Sequence, residues 1–578
     1  MKSACFRRRC VDAFLNNWTI LIFLSGGSLI IKMSDPVNPI YKNFEGVLKN
    51  AEKGKVVTRF PPEPSGFLHI GHAKASLLNY HYAKMYDGKM IVRFDDTNPS
   101  KENITFVEQI LKDLKTLEIF PDKIEFASDF HPIVEGFMTF LIQRGICYAD
   151  MLSAEEIKIQ RDKGEESPFR EATIEENMAR WGDMLKGTPL GKKFCIRGRM
   201  NMKNKVKCLR DPVLYRCNDT PHHRTGTRFK AYPTYDFSCP IVDSLEGVTH
   251  ALRSIEYRDR LKLYSWVQEV CGLRQGNVYE FSRVSFKHTL MSKRKLQKLV
   301  DQGMVEGWMD PRFPTVQGIM RRGMTVQALT EFMLGLGPSK NNNFMEWDKI
   351  WALNKKILDP ITPRYTAIEK ERISHLYLSN VPEVEGDSPF VKNQPLHPKN
   401  TELGEKPVLY FSHVLVDFAD LEDIKIGDKL TLMKWGNVKI TEKTVNPSNP
   451  NEIVAYADYL ADDKDFKNTA KVNWLAAVDD ALFEFTIVEF SHIITKPKPE
   501  EEDKLEDIVN KESRAEYRAV GEGLLKSLKK GDKIQLERRG FFFVDKQYME
   551  NGSDLVLNFI PDGRTQAMSK LGAKVSDP

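Results

Sequence analysis

Cysteine is scarce in this chain of 578 residues: there are eight, and no two of them form a C-x-x-C pair. This argues against a disulfide-rich scaffold and favours reduced thiols in an intracellular protein. Cys195, Cys208 and Cys217 lie near His222 and His223 in the sequence, but the spacing fits no standard zinc module. We predict that these cysteines are buried structural residues and that there is no metal site. A metal site at this position is the alternative.

Long apolar runs are also missing. The stretch from Trp18 to Ile31 is broken by the tetrapeptide SGGS and is shorter than the roughly 20 apolar residues that cross a bilayer. Basic residues precede it, in the outline of a targeting segment, but no clear small-residue cleavage site follows. We interpret residues 1–32 as a doubtful N-terminal extension, an alternative start upstream of Met33, with targeting as the other interpretation. We predict no membrane association and a cytoplasmic location.

Positive charge is only in small excess, because the net charge of the chain is +5. Affinity for a nucleic acid must therefore depend on local basic segments. One such segment, from Gly191 to Arg210, has eight basic residues and no acidic residue. On a strand, alternating side chains would place its cations on one face, which predicts phosphate binding by Arg197, Arg199, Lys203, Lys205 and Lys207. A solvated edge strand protected by lysines is the alternative.

A short β-branched run, KVVTRF, leads into the loop PPEPSGF and then a helix predicted from about Ile70 to Tyr86. A second strand follows and ends at Asp95 and Asp96. This strand–helix–strand order predicts a parallel sheet, in which ligands bind at the carboxyl ends of the strands. The proline loop and the aspartate pair are therefore expected on the ligand side.

His69 and His72 open the predicted helix and, three residues apart, face the same side of it. The N-terminus of a helix has free N–H groups and a partial positive charge, which suit a phosphate. Gly71 between them lets a ligand approach the backbone. Two histidines that merely cap the helix are the alternative.

The pattern along the chain predicts several domains. The α/β rhythm stops near residue 128, returns near residue 231, and gives way to helices and then to strand-rich sequence with turns such as Trp435-Gly436-Asn437. The predicted units are 1–32 (extension), 50–127 (first half of the α/β domain), 128–230 (insertion), 231–300 (second half), 301–371 (helical connector) and 372–578 (β-barrel region).

The motifs HIGH at 69–72 and MSKRK at 291–295 together resemble the two signatures of the class I aminoacyl-tRNA synthetases. The segments RFPPEPSGFLHIGHAKA, RFDDTNPSKE and HHRTGTRFKAYPTYDF are similar to the archaeal and eukaryotic glutamyl/glutaminyl branch. The resemblance spans roughly residues 50 to 570. It implies a Rossmann-type catalytic domain with an inserted domain that binds the tRNA acceptor end, a helical region that contacts the tRNA stem, and C-terminal β-barrels that bind the anticodon.

The same resemblance implies ATP as a substrate, with Mg²⁺, and His69, His72 and Lys293 as catalytic residues. Lys293, on a mobile loop, would reach the departing pyrophosphate. The implied ATP-binding set is Glu63, Pro64, Ser65, His69, Gly71, His72, Ala73, Lys74, Ala75, Ser254, Arg283, Val284, Met291, Ser292 and Lys293.

Four further residues are implied in the amino-acid pocket: Arg59, Asp95, Tyr235 and Arg253. In the family, the aspartate pairs with the substrate ammonium group. Glutamyl enzymes have an arginine at the position of Arg253, whereas glutaminyl enzymes usually have a cysteine. A guanidinium group pairs bidentately with a carboxylate and poorly with an amide, which favours glutamate. A structural ion pair of Arg253 with Glu246 or Glu256 is the alternative.

The resemblance therefore predicts ATP-dependent ligation of L-glutamate to tRNA(Glu) through a glutamyl-adenylate. Glutamine as the substrate, and a non-catalytic tRNA-binding protein, are the alternatives. The C-terminal sequence also resembles the glutamyl part of glutamyl-prolyl fusion enzymes, so a multi-synthetase complex is one partner to consider. The chain could equally be a fragment of such a fusion or a free-standing enzyme.

Overall fold

The computed structural model describes residues 20–25, 28–33, 47–337, 339–340, 344–382, 388–549 and 552–563. Strands β1 (Ile20–Ser25) and β2 (Ser28–Met33) pair antiparallel. The remainder of the predicted extension 1–32, and residues 564–578 of the predicted barrel region, lie outside the described residues.

The first half of the catalytic domain is the predicted parallel sheet. Its elements are β3 (Val57–Phe60), α1 (Ile70–Met85), β4 (Lys89–Phe94), α2 (Ile104–Thr116) and β5 (Lys123–Phe126). The strands run parallel in the order β3-β4-β5. Every residue of β4 after Lys89 is buried, as expected for a strand covered on both faces.

The insertion is a four-stranded antiparallel sheet, β6-β7-β8-β9, with helices packed against it. Its elements are α3 (His131–Gln143), β6 (Cys147–Asp150), α4 (Ala154–Lys163), α5 (Ile174–Lys186), β7 (Cys195–Gly198), β8 (Val213–Cys217) and β9 (Ala231–Pro233). Ser153 and Thr173 begin α4 and α5 with capping boxes, and left-handed glycines end both helices.

The chain then returns to the catalytic domain. The second half has α6 (Tyr235–Leu245), β10 (His250–Ser254), α7 (Leu261–Val270), β11 (Asn277–Phe281), β12 (Ser285–Phe286) and α8 (Lys293–Asp301). Strand β10 pairs parallel with β11. It also lies beside β3, because the N–H of Thr249 donates to the carbonyl of Val57 at 3.0 Å. The two halves therefore form one domain across the insertion.

The segment 301–371, predicted as a helical connector, has helices up to Leu358 and strands from Arg364. It contains α9 (Val316–Arg321), α10 (Val326–Gly335), β13 (Phe344–Met345) and α11 (Asp348–Leu358). Two short strands follow at once, β14 (Arg364–Tyr365) and β15 (Ala367–Glu369). They pair with strands far along the chain, β14 with residues 535–536 and β15 with residues 519–521. Local sequence patterns do not reveal partners at that distance.

Two seven-stranded sheets form the C-terminal region. The first has the order β23-β20-β21-β22-β16-β19-β24, and the second has the order β14-β27-β28-β29-β25-β26-β15. The remaining elements are β16 (Ile373–Ser379), β17 (Phe390–Pro395), β18 (Glu405–Tyr410), β19 (His413–Asp417), α12 (Phe418–Glu422), β20 (Lys429–Leu432), β21 (Gly436–Val445), β22 (Ile453–Leu460), β23 (Ala470–Val472), β24 (Trp474–Ala476), β25 (Leu482–Phe490), α13 (Leu505–Ile508), β26 (Arg514–Glu522), β27 (Lys533–Leu536), β28 (Gly540–Lys546) and β29 (Val556–Ile560).

The second barrel packs directly on the connector. Phe541 and Ile560 lie in the same buried cluster as the catalytic core, and Arg321 of α9 forms two hydrogen bonds with Asp545, at 2.6 and 2.7 Å. Within the parts of the chain that the structure describes, no helix has both the length and the apolar character needed to cross a bilayer.

Candidate active site

A cleft of about 450 Å³ opens where α1 begins and where β3, β10 and β11 end. It is the predicted ligand side of the sheet. The predicted residues that line it are Arg59, His69, Gly71, His72, Lys74, Ala75, Tyr235, Arg253, Ser254, Arg283 and Val284. The geometry therefore brings most of the two predicted sets, for ATP and for the amino acid, into one cleft.

His69 and His72 form a capping box at the start of α1, as the helix-cap interpretation expects, and their role in ATP binding stays a prediction. The Nδ1 of His69 accepts from the N–H of Gly71 at 3.1 Å, and the Nδ1 of His72 accepts from the N–H of His69 at 3.1 Å. Burial, with Lys293 and Arg283 nearby, lowers the pKa of His69 to about 3; burial, with His69 nearby, also lowers the pKa of His72. Both rings are therefore neutral, and the proton lies on Nε2, where each ring can donate to a ligand.

Lys293, the first residue of α8, reaches across to the proline loop. Its Nζ donates to the hydroxyl of Ser65 at 3.1 Å, and its side chain packs against Gly66. Burial lowers the pKa of Lys293, and Glu63 partly offsets that effect. On the other side of the cleft, Arg283 forms an ion pair with Glu256 at 2.7 Å. Two cations thus flank the histidine helix.

Lys74 is almost fully buried and bonded inside the protein. Its Nζ donates to the carbonyl and the hydroxyl of Ser282, at 2.8 and 3.1 Å, and burial lowers its pKa to about 8. The side chain ties α1 to the end of β11. Its place in the predicted ATP-binding set remains a prediction.

Arg253 is held tightly at the base of the cleft. Its Nη1 donates to the hydroxyl of Tyr235 at 3.0 Å, and its Nη2 donates to the Sγ of Cys239 at 2.9 Å. The guanidinium carbon lies 4.0 Å from the ring centre of Tyr257 and 4.6 Å from that of Tyr264. Its ion-pair partner, at 3.7 Å, is Asp243; Glu246 and Glu256, the partners of the structural alternative, are not its ion-pair partners among the described residues.

Arg59 lies beside it and also contacts Asp243. The Nε of Arg59 is 3.1 Å from both carboxylate oxygens of Asp243, and its Nη1 donates to the carbonyl of Leu252 at 3.0 Å. In the described part of the chain, the Nη2 of Arg59 and the Nε of Arg253 have no hydrogen-bond partner although both atoms are buried. Two arginines that line one cleft, each with an unpaired guanidinium nitrogen, fit a carboxylate ligand.

The other predicted residues do not line the cleft. Ala73 is fully buried on the inner face of α1. The carbonyl of Pro64 accepts from the N–H of Asn103 at 3.1 Å. Asp95 lies behind the proline loop, where its N–H donates to the carbonyl of Pro62 at 3.0 Å. Burial raises the pKa of Asp95 to about 7. The full set outside the lining is Glu63, Pro64, Ser65, Ala73, Asp95, Met291, Ser292 and Lys293.

Asp243 and Cys239 were not anticipated from the sequence. Tyr235, Cys239 and Asp243 are four residues apart along α6, so they form one stripe on the face of the helix that meets the two arginines. That spacing, in YDFSCPIVD after the predicted Tyr235, is the signal that could have revealed them.

The prediction of one continuous basic strand face is wrong. Strand β7 ends at Gly198, and Arg197 is fully buried, where it forms an ion pair with Asp150 at 2.7 Å and donates to the carbonyl of Asp211 at 2.8 Å. The partly buried Arg199 follows the strand. Lys203, Lys205 and Lys207 are exposed and lie beyond the strand, because the chain turns at Asn201. Lys207 pairs with Asp162 at 2.5 Å, so among the five predicted residues Lys203 and Lys205 are the exposed cations without an ion pair in the described part of the chain.

The group Asp96, His222 and His223 has a geometry that could hold a metal ion. In the described part of the chain, both ring nitrogens of His223 lack a hydrogen-bond partner, whereas His222 and Asp96 are engaged. The Nε2 of His222 bonds with the carbonyl of Asp96 at 2.8 Å, and both carboxylate oxygens of Asp96 accept from Ser128, at 2.7 and 2.6 Å. These hydrogen bonds tie the insertion to the end of β4. No cysteine belongs to the group, and the cysteines that the structure describes are free thiols.

Comparison with known protein families agrees with this geometry. Residues 55–360 match the catalytic domain of the class I tRNA synthetases (E and Q). Residues 362–459 and 471–545 match the anticodon-binding domains of the same family.

Three relatives align over most of the chain. A probable cytoplasmic glutamate–tRNA ligase of Schizosaccharomyces pombe is 46% identical, over 92% of this chain and 73% of its own length. A cytoplasmic glutamate–tRNA ligase of Saccharomyces cerevisiae is 43% identical, over 98% of this chain and 80% of its own. A bifunctional glutamate/proline–tRNA ligase of Cricetulus griseus is 44% identical, over 91% of this chain and 35% of its own. The chain belongs to the glutamyl/glutaminyl family of class I tRNA synthetases.

Proposed function

We propose that the chain is a ligase that joins L-glutamate to tRNA(Glu) at the expense of ATP, through a glutamyl-adenylate. The observation that supports this most directly is the pair of buried, unpartnered guanidinium nitrogens on Arg59 and Arg253 at the base of the cleft. A side-chain carboxylate accepts from both, whereas an amide would face them with its own N–H donors. The relatives described above are named for glutamate, which agrees with this choice.

In the first step, an oxygen of the glutamate α-carboxylate attacks the α-phosphorus of ATP, and pyrophosphate leaves. The attacking group is already an anion, so no protein base is needed. The Nε2–H groups of His69 and His72 donate to phosphate oxygens, and Lys293 offsets the charge that grows on the leaving group. In this proposal Asp95 pairs with the substrate ammonium group, and Tyr235 orients Arg253.

Mg²⁺ would be held by the phosphates of ATP rather than by a carboxylate site of the protein. Among the described residues, the cleft lining includes a single carboxylate, Glu256, and it is paired with Arg283. Magnesium commonly binds through nucleotide phosphates and few protein ligands, which fits this donor set. The ion supplies charge neutralisation on the phosphates.

In the second step, a hydroxyl at the 3′ end of tRNA attacks the activated carbonyl, its proton passes to a phosphate oxygen, and AMP leaves. We assign the acceptor end to the insertion, with Lys203, Lys205 and Lys207 as its exposed cations, and the anticodon to the two barrels. The same proposal includes a cytoplasmic location, which is part of the names of the relatives. It also includes association with other synthetases, because one relative is bifunctional.

The test is pyrophosphate exchange by the full chain with glutamate or glutamine, with and without total tRNA. We expect exchange with glutamate when tRNA is present. Exchange with glutamine would instead indicate an enzyme that joins glutamine to tRNA. No exchange with either amino acid, from folded protein that still binds tRNA, would favour a non-catalytic tRNA-binding protein.

A further inference from the structure

We infer that Asp243 is the positioning residue of the amino-acid pocket, fixing Arg59 and Arg253 so that one nitrogen of each is left for the substrate carboxylate. The inference rests on the proposed function, since it assigns a role within the glutamate pocket. Asp243 does not line the cleft. It acts through the two arginines.

The contacts of Asp243 account for the orientation of both side chains. Both carboxylate oxygens of Asp243 accept from the Nε of Arg59, at 3.1 Å each. Its Oδ2 also lies 3.7 Å from the Nη2 of Arg253. A third arginine, Arg93, donates to its Oδ1 at 2.7 Å, and the hydroxyl of Tyr264 donates to its Oδ2 at 2.8 Å. The carboxylate is therefore fixed from several sides before any substrate arrives.

The hydrogen bonds of the two arginines show which guanidinium nitrogens are paired and which are not. Arg59 has Nε on Asp243 and Nη1 on the carbonyl of Leu252, which leaves Nη2. Arg253 has Nη1 on Tyr235 and Nη2 on Cys239 and Asp243, which leaves Nε. A buried donor without a partner is unfavourable, so a ligand that accepts from both nitrogens is favoured.

The charges of the cluster point the same way. Among the described residues, the guanidinium groups of Arg59, Arg93 and Arg253 form ion pairs with two carboxylates, those of Asp243 and Glu246, so three cations share two anions in these pairs. Although burial alone would raise it, the pKa of Asp243 is lowered by the three arginines, so Asp243 is ionised at neutral pH. A substrate carboxylate balances the remaining charge, and a neutral amide does not.

Glu246 offers a matched control in the same cluster. It pairs with Arg93, on the side away from Arg59 and Arg253, and does not line the cleft. The change Glu246→Gln and the change Asp243→Asn each remove one carboxylate from the cluster of Arg59, Arg93 and Arg253. Glu246→Gln leaves every contact of Arg59 and Arg253 in place. Burial raises the pKa of Glu246 to about 7, so the comparison is made above that pH, where both changes remove one negative charge. The pair of variants then separates positioning from net charge.

The experiment compares the wild-type chain with Asp243→Asn and Glu246→Gln in pyrophosphate exchange with tRNA, with KM measured separately for glutamate and ATP. We expect Asp243→Asn to raise the KM for glutamate by about ten-fold or more and to leave the KM for ATP within about two-fold. We expect Glu246→Gln to change neither KM by more than about two-fold. Damage to the fold alone would lower the active fraction without separating the two KM values.

An unchanged glutamate KM in folded Asp243→Asn, or an equal rise in Glu246→Gln, would overturn the inference. If Asp243→Asn does not fold, Tyr264→Phe removes one hydrogen bond from the Asp243 carboxylate, and an unchanged glutamate KM in that variant is likewise contrary to the inference. Failure of the wild-type chain to use glutamate would overturn the proposed function itself, so the two failures are distinguishable.

Discussion

Individual side chains in the cleft serve two purposes at once. His69 and His72 use Nδ1 to close the helix start, which leaves the Nε2 protons for a ligand. Arg253 is fixed by Tyr235 and Cys239 and retains Nε. In both cases an internal hydrogen bond determines which atom is available, so the site is organised before substrate binds.

At Arg253, the substitution Arg253→Gln is expected to lower kcat/KM for glutamate by about 10²-fold or more and to narrow the preference over glutamine, because the pairing with a carboxylate is lost. The measurement is exchange with each amino acid in the presence of tRNA. Arg258→Gln is the control, since Arg258 is exposed and paired with Glu280 outside the cleft lining. Unchanged selectivity in Arg253→Gln would make Arg253 a structural residue.

Lys293 allows a similar comparison along one helix. Lys293→Ala is expected to slow adenylate formation by about 10²–10³-fold, because the charge near the leaving pyrophosphate is removed. Binding of tRNA should be unaffected, which a filter-binding assay would check. Lys298→Ala, an exposed change on the same helix α8, is the control. Normal exchange in Lys293→Ala would contradict the assigned role.

The raised pKa of Asp95 predicts a pH dependence. With a pKa of about 7 in the substrate-free protein, this carboxyl is protonated at lower pH and cannot pair with the substrate ammonium group. We expect kcat/KM for glutamate to rise with pH and to level off above about 7. His69, with a pKa of about 3, does not titrate in that range. A flat profile below pH 7 would argue that Asp95 does not bind the ammonium group.

At the scale of single elements, the loop that follows β7 is the exposed basic part of the insertion. Replacing Lys203, Lys205 and Lys207 by alanine is expected to weaken tRNA binding and to reduce the slope of log affinity against log salt by about two. The control replaces three exposed lysines of the catalytic domain, Lys89, Lys112 and Lys115. Equal slopes for the two triple variants would exclude a specific role for the loop.

The sequence allowed the elements around the histidine motif to be predicted well. Helix α1 was expected from about Ile70 to Tyr86 and runs from Ile70 to Met85, because the motif, the proline loop and the Asp87-Gly88 stop signal are all local. The prediction of a basic strand face from Gly191 to Arg210 was wrong because the contacts of that segment are not local. Arg197 has its partner, Asp150, on another strand, so charge periodicity along one strand did not reveal its burial.

The amino-acid pocket shows the same limit. Arg59, Tyr235 and Arg253 could be predicted to line it because the family resemblance names those positions. Asp243, which connects Arg59 and Arg253, is hidden in the sequence because its partners are 184 and 10 residues away. The four-residue spacing along α6 places Asp243 on the same face as Tyr235, but its pairing with the two arginines depends on how α6 packs against β3 and β10, which no local pattern encodes.

For the whole molecule, the contact between the connector and the second barrel is the expected weak point for substitutions. Gly323 follows α9 with a φ of 95°, and a Cβ there would lie 2.4 Å from Ile560. Gly323→Ala is expected to destabilise the protein by about 1–3 kcal/mol through backbone strain and overpacking. Gly335→Ala, at a helical position with open space, is the control. Thermal unfolding measures both, and equal midpoints would contradict the prediction.

The two short strands β14 and β15 have a consequence for the order of synthesis. They close the second barrel, yet the whole first barrel lies between them and their partners in the chain. On the ribosome, β15 therefore emerges well before β26, a delay of roughly ten seconds or more at usual elongation rates. The first barrel, whose strands are contiguous, can fold in that interval. The nascent chain must keep the earlier strands unpaired until the last hundred residues appear.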